Sequence, residues 1–238
     1  KTGVEYFDYY LLHDIGADHY KVYTELDCFT WLQEKKAQGL VRHIGFSFHD
    51  NAELLDRVLT EHPEVEFVQL QLNYLDWDSE GVQSRKCYEV ARKYNKSVII
   101  MEPVRGGSLA IMPPQVQEVF KKAEPEMSVA SWAIRYAASL DGLVTVLSGM
   151  STEEQLNDNV SYMENFQPLN ESERATVQQV VDILNSLPTI PCTACKYCVD
   201  GCPQKINIPG VFKAMNDLTL YNNKANAQRD YNNATKEG

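Results

Sequence analysis

Four cysteines near the C-terminal end follow the pattern Cys192-x2-Cys195-x2-Cys198-x3-Cys202, with Pro203 next. Thiolates spaced this closely suit a tight turn that wraps one face of a metal cluster, and the spacing is that of bacterial iron–sulfur ligation. In proteins with two such clusters, the fourth cysteine of the run binds the other cluster. The remaining ligands of a second cluster are not found among these 238 residues. Either Cys202 turns back to complete one 4Fe–4S cluster, or a second motif belongs with this one. Zinc is the rival, because four thiolates also suit a tetrahedral ion. Zinc ribbons divide their ligands into two distant pairs, and this run does not, so iron–sulfur is the expectation. Cys28 and Cys87 lie far upstream in helical patterns and read as small buried hydrophobes.

A second set of polar residues closes a series of short apolar runs. The runs are Tyr6–Leu12, Val41–Ser47, Phe67–Leu72, Ser97–Met101 and Leu143–Leu147, rich in β-branched and aromatic residues as strands are. Between them, Tyr23–Gln38, Ala52–Leu59, Gly81–Tyr94 and Ser128–Ser139 carry apolar residues at helical spacing. Strand–helix alternation of this kind predicts parallel strands with crossover helices. His13, Ser47, Gln71, Met101 and Ser148 then gather at the C-terminal strand ends, where parallel barrels keep their functional groups. No Gly-x-Gly-x-x-Gly follows a strand, which argues against a Rossmann nucleotide fold. Only five βα units are visible, whereas a closed barrel needs eight in about 250 residues. Asn170–Leu187 adds a helix opened by Asn170 with Glu173 three residues on, a capping-box signature. Pro209–Leu220 reads as a short helix, and residues 221–238, dominated by Asn, Lys and Asp, read as a mobile tail.

The bulk numbers narrow the function classes. With 33 acidic against 22 basic residues the net charge is −11, which disfavours nucleic acid. No apolar run approaches the roughly 20 residues of a membrane span. Cysteines concentrated in one run fit a reducing, cytoplasmic setting better than a disulfide scaffold.

Taken in order, these segments resemble the aldo/keto reductase family. Asp8-Tyr-Tyr-Leu-Leu-His13 resembles the family's fourth barrel strand, which ends in an active-site histidine. Gly45-Phe-Ser47 and Gln71-Leu-Asn-Tyr74 resemble the fifth and sixth strand ends, where a Ser and a Gln bind the nicotinamide carboxamide. Met101-Glu-Pro-Val-Arg-Gly-Gly-Ser-Leu109 resembles the seventh strand and its pyrophosphate loop. Ser148-Gly-Met-Ser-Thr-Glu-Glu-Gln155-Leu-Asn-Asp158-Asn159 resembles the eighth strand, its loop and the helix at the adenosine end. The cysteine run is similar to that of the family branch with a C-terminal ferredoxin-like domain holding two 4Fe–4S clusters.

The resemblance implies NAD- or NADP-dependent hydride transfer to or from a small carbonyl or alcohol substrate. His13 would orient that substrate. Ser47, Gln71, Met101, Arg105, Gly106, Ser148, Gly149, Met150, Ser151, Gln155 and Asn159 would bind the dinucleotide. Bland readings stand beside these. On these, Ser47 and Gln71 satisfy only loop backbone, Arg105-Gly106-Gly107 is a simple turn, and His49 is a loop residue. The family tetrad also needs Asp, Tyr and Lys, which precede the fourth strand in the family and have no match here. The chain is therefore expected to be a fragment that is inactive alone. The expected architecture is α/β: a partial (β/α)8 barrel over residues 1–187, then an incomplete, mainly helical ferredoxin-like segment over 188–238. A redox partner protein is possible, while nucleic acid and membrane are not expected. The alternative is a non-catalytic electron-transfer or partner-binding protein on a barrel scaffold.

Overall fold

The computed structural model describes residues 3–190, 192, 197–221 and 224–236. In chain order the elements are β1 (Phe7–Ile15), α1 (Ala17–Glu25), α2 (Cys28–Ala37), β2 (Val41–Phe48), α3 (Ala52–Glu61), β3 (Phe67–Gln71), α4 (Ser84–Lys93), β4 (Ser97–Met101), α5 (Pro114–Ala123), α6 (Val129–Ala138), β5 (Leu143–Val146), α7 (Glu153–Met163), α8 (Glu171–Ser186), α9 (Tyr197–Asp200), α10 (Ile208–Tyr221) and α11 (Lys224–Ala234). They form two compact units, Lys1–Ala110 with Ala130–Arg174, and Ile111–Val129 with Ala175–Gly238.

The first unit is built on one five-stranded sheet in the order β1-β2-β3-β4-β5. Every pair is parallel, so each strand returns through a crossover. Sequential order winds the chain in one direction, as in part of a (β/α)8 barrel. Parallel register gives the sheet two distinct faces. Leu12, Phe46, Val68 and Val98 lie in one row, and Leu70, Ile100 and Val146 in another. This face packs in one core with Phe29 and Leu32 of α2, Leu55, Val58 and Leu59 of α3, and Cys87 and Ala91 of α4. Each fully buried Phe or Leu here contributes about 1.5–3 kcal/mol. Burial and the neighbouring Asp50 charge push the Cys87 thiol up to about 12, which keeps it protonated.

The opposite face carries Ser47, Gln69, Ile99 and Thr145 in one row, and Gln71 beside Met101 in the next. Gly45 lies on this face next to Phe67. A Cβ there would stand 2.5 Å from the Phe67 carbonyl oxygen and 2.7 Å from its ring. Only glycine permits that approach.

The strands match the sequence reading to within a few residues, with two informative differences. β1 continues to Ile15, so His13 lies inside the strand instead of closing it. The β1–β2 register shifts between Leu12 and Ile15, and Asp14 takes a φ of 59° within that irregularity. The single helix expected over Tyr23–Gln38 is two helices. Asp27, at φ 53°, breaks the chain between α1 and α2. Its short polar side chain tolerates the left-handed region that most residues avoid.

A buried ion pair closes the unit. Arg135 of α6 donates through Nη2 to Glu173 of α8, and both residues are more than nine-tenths buried. Glu173 also accepts from the Asn170 backbone N–H at 2.8 Å, while Asn170 Oδ1 accepts from the Glu173 N–H at 2.9 Å. The expected capping box is therefore formed.

In the second unit, α5 had no counterpart in the sequence reading. Pro114 opens it, and Val116 and Phe120 are its buried positions. The mobile tail expected over 221–238 is overturned where it is described, because Lys224–Ala234 is helical. α11 pairs with α10. Gly210 approaches Ala234 so closely that an added Cβ would lie 2.8 Å from the alanine methyl. Lys213 bonds to Asp217 and to Asp230, each at 2.7 Å. The polar composition hid a helix whose apolar contact is limited to small residues such as Ala227.

Glu173→Ala should destabilise the chain by about 3–5 kcal/mol in urea unfolding, because it leaves a buried guanidinium unpaired. A loss below about 1 kcal/mol would place the pair among ordinary surface bridges.

Candidate cofactor site

The turn after β4 and the segment joining β5 to α7 enclose a cleft of about 310 Å³. After β4, Glu102, Arg105, Gly106 and Gly107 all take positive φ. The turn is held by its own backbone. Gly107 N–H donates to Val104 at 3.1 Å, and Ala110 N–H to Gly107 at 3.1 Å. Arg105 Nε reaches both carboxylate oxygens of Asp76, at 3.2 and 3.0 Å. Asp76 is buried, and it accepts from Asn73 Nδ2 at 2.9 Å. Asn73 Oδ1 in turn accepts from the N–H groups of Leu75 and Asp76, an Asx turn that fixes the chain after β3. The same Nδ2 reaches the Glu102 carbonyl at 3.3 Å. Asn73 thus pins the exit of β3 to the exit of β4.

The other wall is organised by α7. Thr152 Oγ1 accepts from the Gln155 N–H at 3.3 Å, and Gln155 Oε1 accepts from the Ser151 N–H at 2.7 Å. The first bond caps a free donor of the helix's first turn, and the second ties the segment leading into the helix to it. Asn159 Nδ2 donates to Ser148 Oγ at 2.7 Å, and its oxygen accepts from the Tyr162 hydroxyl. Burial first, then the charge of Asp158, raises the Tyr162 hydroxyl, so it remains a donor. The N–H of Glu154 itself and the Thr152 hydroxyl hold the Glu154 carboxyl below its ordinary range.

Six of the residues singled out from sequence line this one cleft: Gly106, Ser148, Gly149, Met150, Gln155 and Asn159. Val104, Ala130, Ile134 and Leu147 supply its apolar wall. Ser47, Gln71, Met101, Arg105 and Ser151 do not line it. Gln71 and Met101 are register neighbours across β3 and β4. Ser47 is fully buried, and its Oγ accepts from the Asp14 N–H at 2.7 Å. The Ser47 hydroxyl thus holds backbone in this structure and keeps its own proton to donate.

His13 lines a different cleft, of about 230 Å³, with Asp14, His19, Val22 and Tyr23. The Tyr23 hydroxyl donates to the His13 carbonyl at 2.8 Å. His19 Nδ1 stands 2.7 Å from the Asp14 carbonyl oxygen and 3.2 Å from Asp14 Oδ2. His49 follows β2 as a loop residue, with its N–H on the Ile15 carbonyl at 3.0 Å.

The cysteine run is only partly described, and Cys195 lies outside the described residues. Cys192 and Cys198 are exposed, and Cys202 is half-buried. The Ile206 and Gln204 backbone N–H groups, followed by Lys205, hold the Cys202 thiol below its ordinary range. Among the described residues no three Cys, His, Asp or Glu side chains converge as a metal site. Cys192, Cys198 and Cys202 are thus not brought together as a ligand group.

The aldo/keto reductase family profile matches residues 1–182. The chain belongs to the aldo/keto reductase family. Solved structures of this family share its fold. An aldo-keto reductase from Bacillus halodurans in its holo form is 21% identical, with a TM-score of 0.55, covering 74% of this chain and 59% of its own. An aldo/keto reductase from Klebsiella pneumoniae in complex with NADP and acetate is 16% identical, with a TM-score of 0.57 and coverage of 74% and 59%. An aldo/keto reductase from Brucella melitensis is 20% identical, with a TM-score of 0.56 and coverage of 75% and 62%. The chain therefore spans about three fifths of the length of these family members. A search of curated proteins finds no match.

Within this aldo/keto reductase chain, Glu102, Asp158, Asn73 and Asp76 were not among the site residues singled out from sequence, although the first three stand in the motifs that carry the resemblance. The first two line the cleft, and the others hold its β4 turn. The Asn-x-x-Asp spacing of Asn73 and Asp76 was the available signal, since short polar side chains at that interval favour Asx turns. Ser47→Ala should cost about 1–2 kcal/mol of stability in chemical unfolding, because the Asp14 N–H loses its acceptor. A change within about 0.5 kcal/mol would mean that the bond does not hold the β1 irregularity.

Proposed function

We propose that this chain supplies the cofactor-binding part of an NAD(P)-dependent oxidoreductase acting on a small carbonyl or alcohol. The observation that carries the reading is the convergence of Gly106, Ser148, Gly149, Met150, Gln155 and Asn159 on one cleft. Its size and its mixture of apolar wall and hydrogen-bonding groups suit part of an organic ligand. The Klebsiella structure that shares the fold holds NADP. A bound dinucleotide supplies a hydride donor or acceptor at its nicotinamide. The capped start of α7 and the β4 turn position its adenosine and pyrophosphate parts. Gln71 and Met101 face the nicotinamide from the sheet, Arg105 offers charge beside the turn, and His13 orients the substrate oxygen through its imidazole. Among the described residues no lysine lines the cleft at His13, and the Tyr23 hydroxyl there is bonded to the His13 carbonyl. On this reading the chain alone binds the dinucleotide without turning over substrate.

The reading extends to the cysteine run. Its spacing supports a 4Fe–4S cluster on Cys192, Cys195, Cys198 and Cys202, for electron exchange with a partner protein or as a structural staple. A second reading is a non-catalytic electron-transfer or partner-binding protein on a barrel scaffold, in which the cysteine run is the working part.

Isothermal titration with the oxidised or reduced dinucleotides should give saturable binding that Gln155→Ala weakens about tenfold. Absence of binding for all of them would leave the electron-transfer reading. Anaerobic reconstitution with iron and sulfide should yield iron and acid-labile sulfide in equal amounts, lost in Cys198→Ser. Zinc retained without sulfide would instead identify a zinc-stapled segment.

A further inference from the structure

The β4 turn holds backbone strain at two residues that carry side chains. Glu102 has a φ of 57° and Arg105 a φ of 52°, ahead of Gly106 at 61° and Gly107 at 90°. The left-handed region is costly for a residue with a Cβ, and it persists only where the surroundings over-determine it. Each strained residue has a buried support from the turn after β3. Asn73 is 0% exposed and Asp76 4%. Asn73 Nδ2 donates to the Glu102 carbonyl at 3.3 Å. Asp76 takes Arg105 Nε on both carboxylate oxygens, at 3.2 and 3.0 Å. The supports also hold each other. Asn73 Nδ2 donates to Asp76 Oδ2 at 2.9 Å, and Asn73 Oδ1 accepts the Asp76 N–H at 2.9 Å.

The supported turn is a wall of the cleft, lined here by Glu102, Pro103, Val104, Gly106 and Gly107. Asn73, Asp76 and Arg105 do not line it. Buried polar groups that brace a strained wall from behind fix its shape before a ligand arrives, which lowers the ordering cost of binding. We infer that Asn73 and Asp76 are positioning residues of this cleft, acting on a bound dinucleotide through Glu102 and Arg105 and not by touching it. The inference deepens the proposed cofactor reading and rests on it. Released from Asp76, the turn holds its binding-competent shape for only part of the time. Apparent affinity falls by that fraction, and the loss lies in the association rate, because the ligand enters only the competent shape. A lost contact with the ligand would instead speed dissociation.

The test is stopped-flow binding of NADH and of NADPH to this chain, to Asp76→Asn, to Arg105→Gln and to the double variant. Asp76→Asn should slow association about tenfold and leave dissociation within about twofold. In the Arg105→Gln background, Asp76→Asn should add no further slowing, because its effect passes through Arg105. A loss that lies in dissociation, or additive effects in the double variant, overturns the inference. Amide exchange gives a second reading. The Gly107 and Ser108 N–H groups are bonded within the turn, to the Val104 and Arg105 carbonyls. In Asp76→Asn they should exchange at least about tenfold faster, while the N–H of Ile100 in β4 keeps its rate. Equal acceleration at Ile100 means a general loss of structure and also overturns the positioning role. If the unaltered chain binds neither dinucleotide, the cofactor reading fails and the positioning role falls with it. Binding by the unaltered chain with unchanged rates in both single variants overturns the positioning role alone.

Discussion

One constraint runs through the first unit: parallel strands hydrogen-bonded in sequence order must share one buried face. The row Leu12, Phe46, Val68 and Val98 can leave water only if α2, α3 and α4 lie on the same side of the sheet. Once they do, every strand points the same way, and the turns after β3, β4 and β5 open at the same end of the sheet. A slip of one residue would exchange the two faces and bury Gln69 and Gln71 among the helices. Gly45 reinforces the register, because only a residue without a side chain fits against Phe67. The cleft between the β4 turn and α7 thus depends on packing some distance from it.

Packing alone leaves the turns free to wander, and polar side chains complete the arrangement. Asn73 and Asp76 tie the exit of β3 to the β4 turn and to Arg105. Asn159 ties α7 to Ser148 at the end of β5. Ser47 accepts the Asp14 N–H where β1 departs from regular register. Each is a short side chain with little rotamer freedom to lose, so ordering it costs less than ordering a long one. The outer strands have no such arrangement along their far sides. Among the described residues β1 pairs only with β2 and β5 only with β4. Tyr6, Phe7, Tyr9 and Tyr10 remain exposed along β1.

The strands were legible because β-branched and aromatic runs bounded by turn residues have few other outcomes. Ser97–Met101 agrees residue for residue, and the Asn170–Glu173 capping box was visible as a spacing. The break at Asp27 was not legible, since the apolar pattern continues across it and only the backbone angle shows the interruption. α11 was hidden because its composition is polar and its burial comes from packing on α10, which no apolar periodicity in its own residues announces. At the site, the polar strand-end residues were found as candidates, but their partners were not. Nothing local in Gly45-Phe-Ser47 reveals that the Ser47 hydroxyl faces Asp14, 33 residues earlier. The acidic character of the cleft was obscured for the same reason. Glu102 and Asp158 are far apart in sequence, and only the fold places them on one surface.

The distribution of charge follows from these same contacts. The two cations nearest in sequence to the cleft walls, Arg105 and Arg135, are both committed to buried carboxylates, Asp76 and Glu173. Neither can be withdrawn cheaply, because a buried carboxylate left without its partner costs several kcal/mol. The fold therefore uses this positive charge to hold the β4 turn and to join α6 to the start of α8, and among the described residues the cleft is lined by Glu102, Asp158 and neutral groups. The stability of the unit and the chemistry of the cleft are thus set by the same two ion pairs.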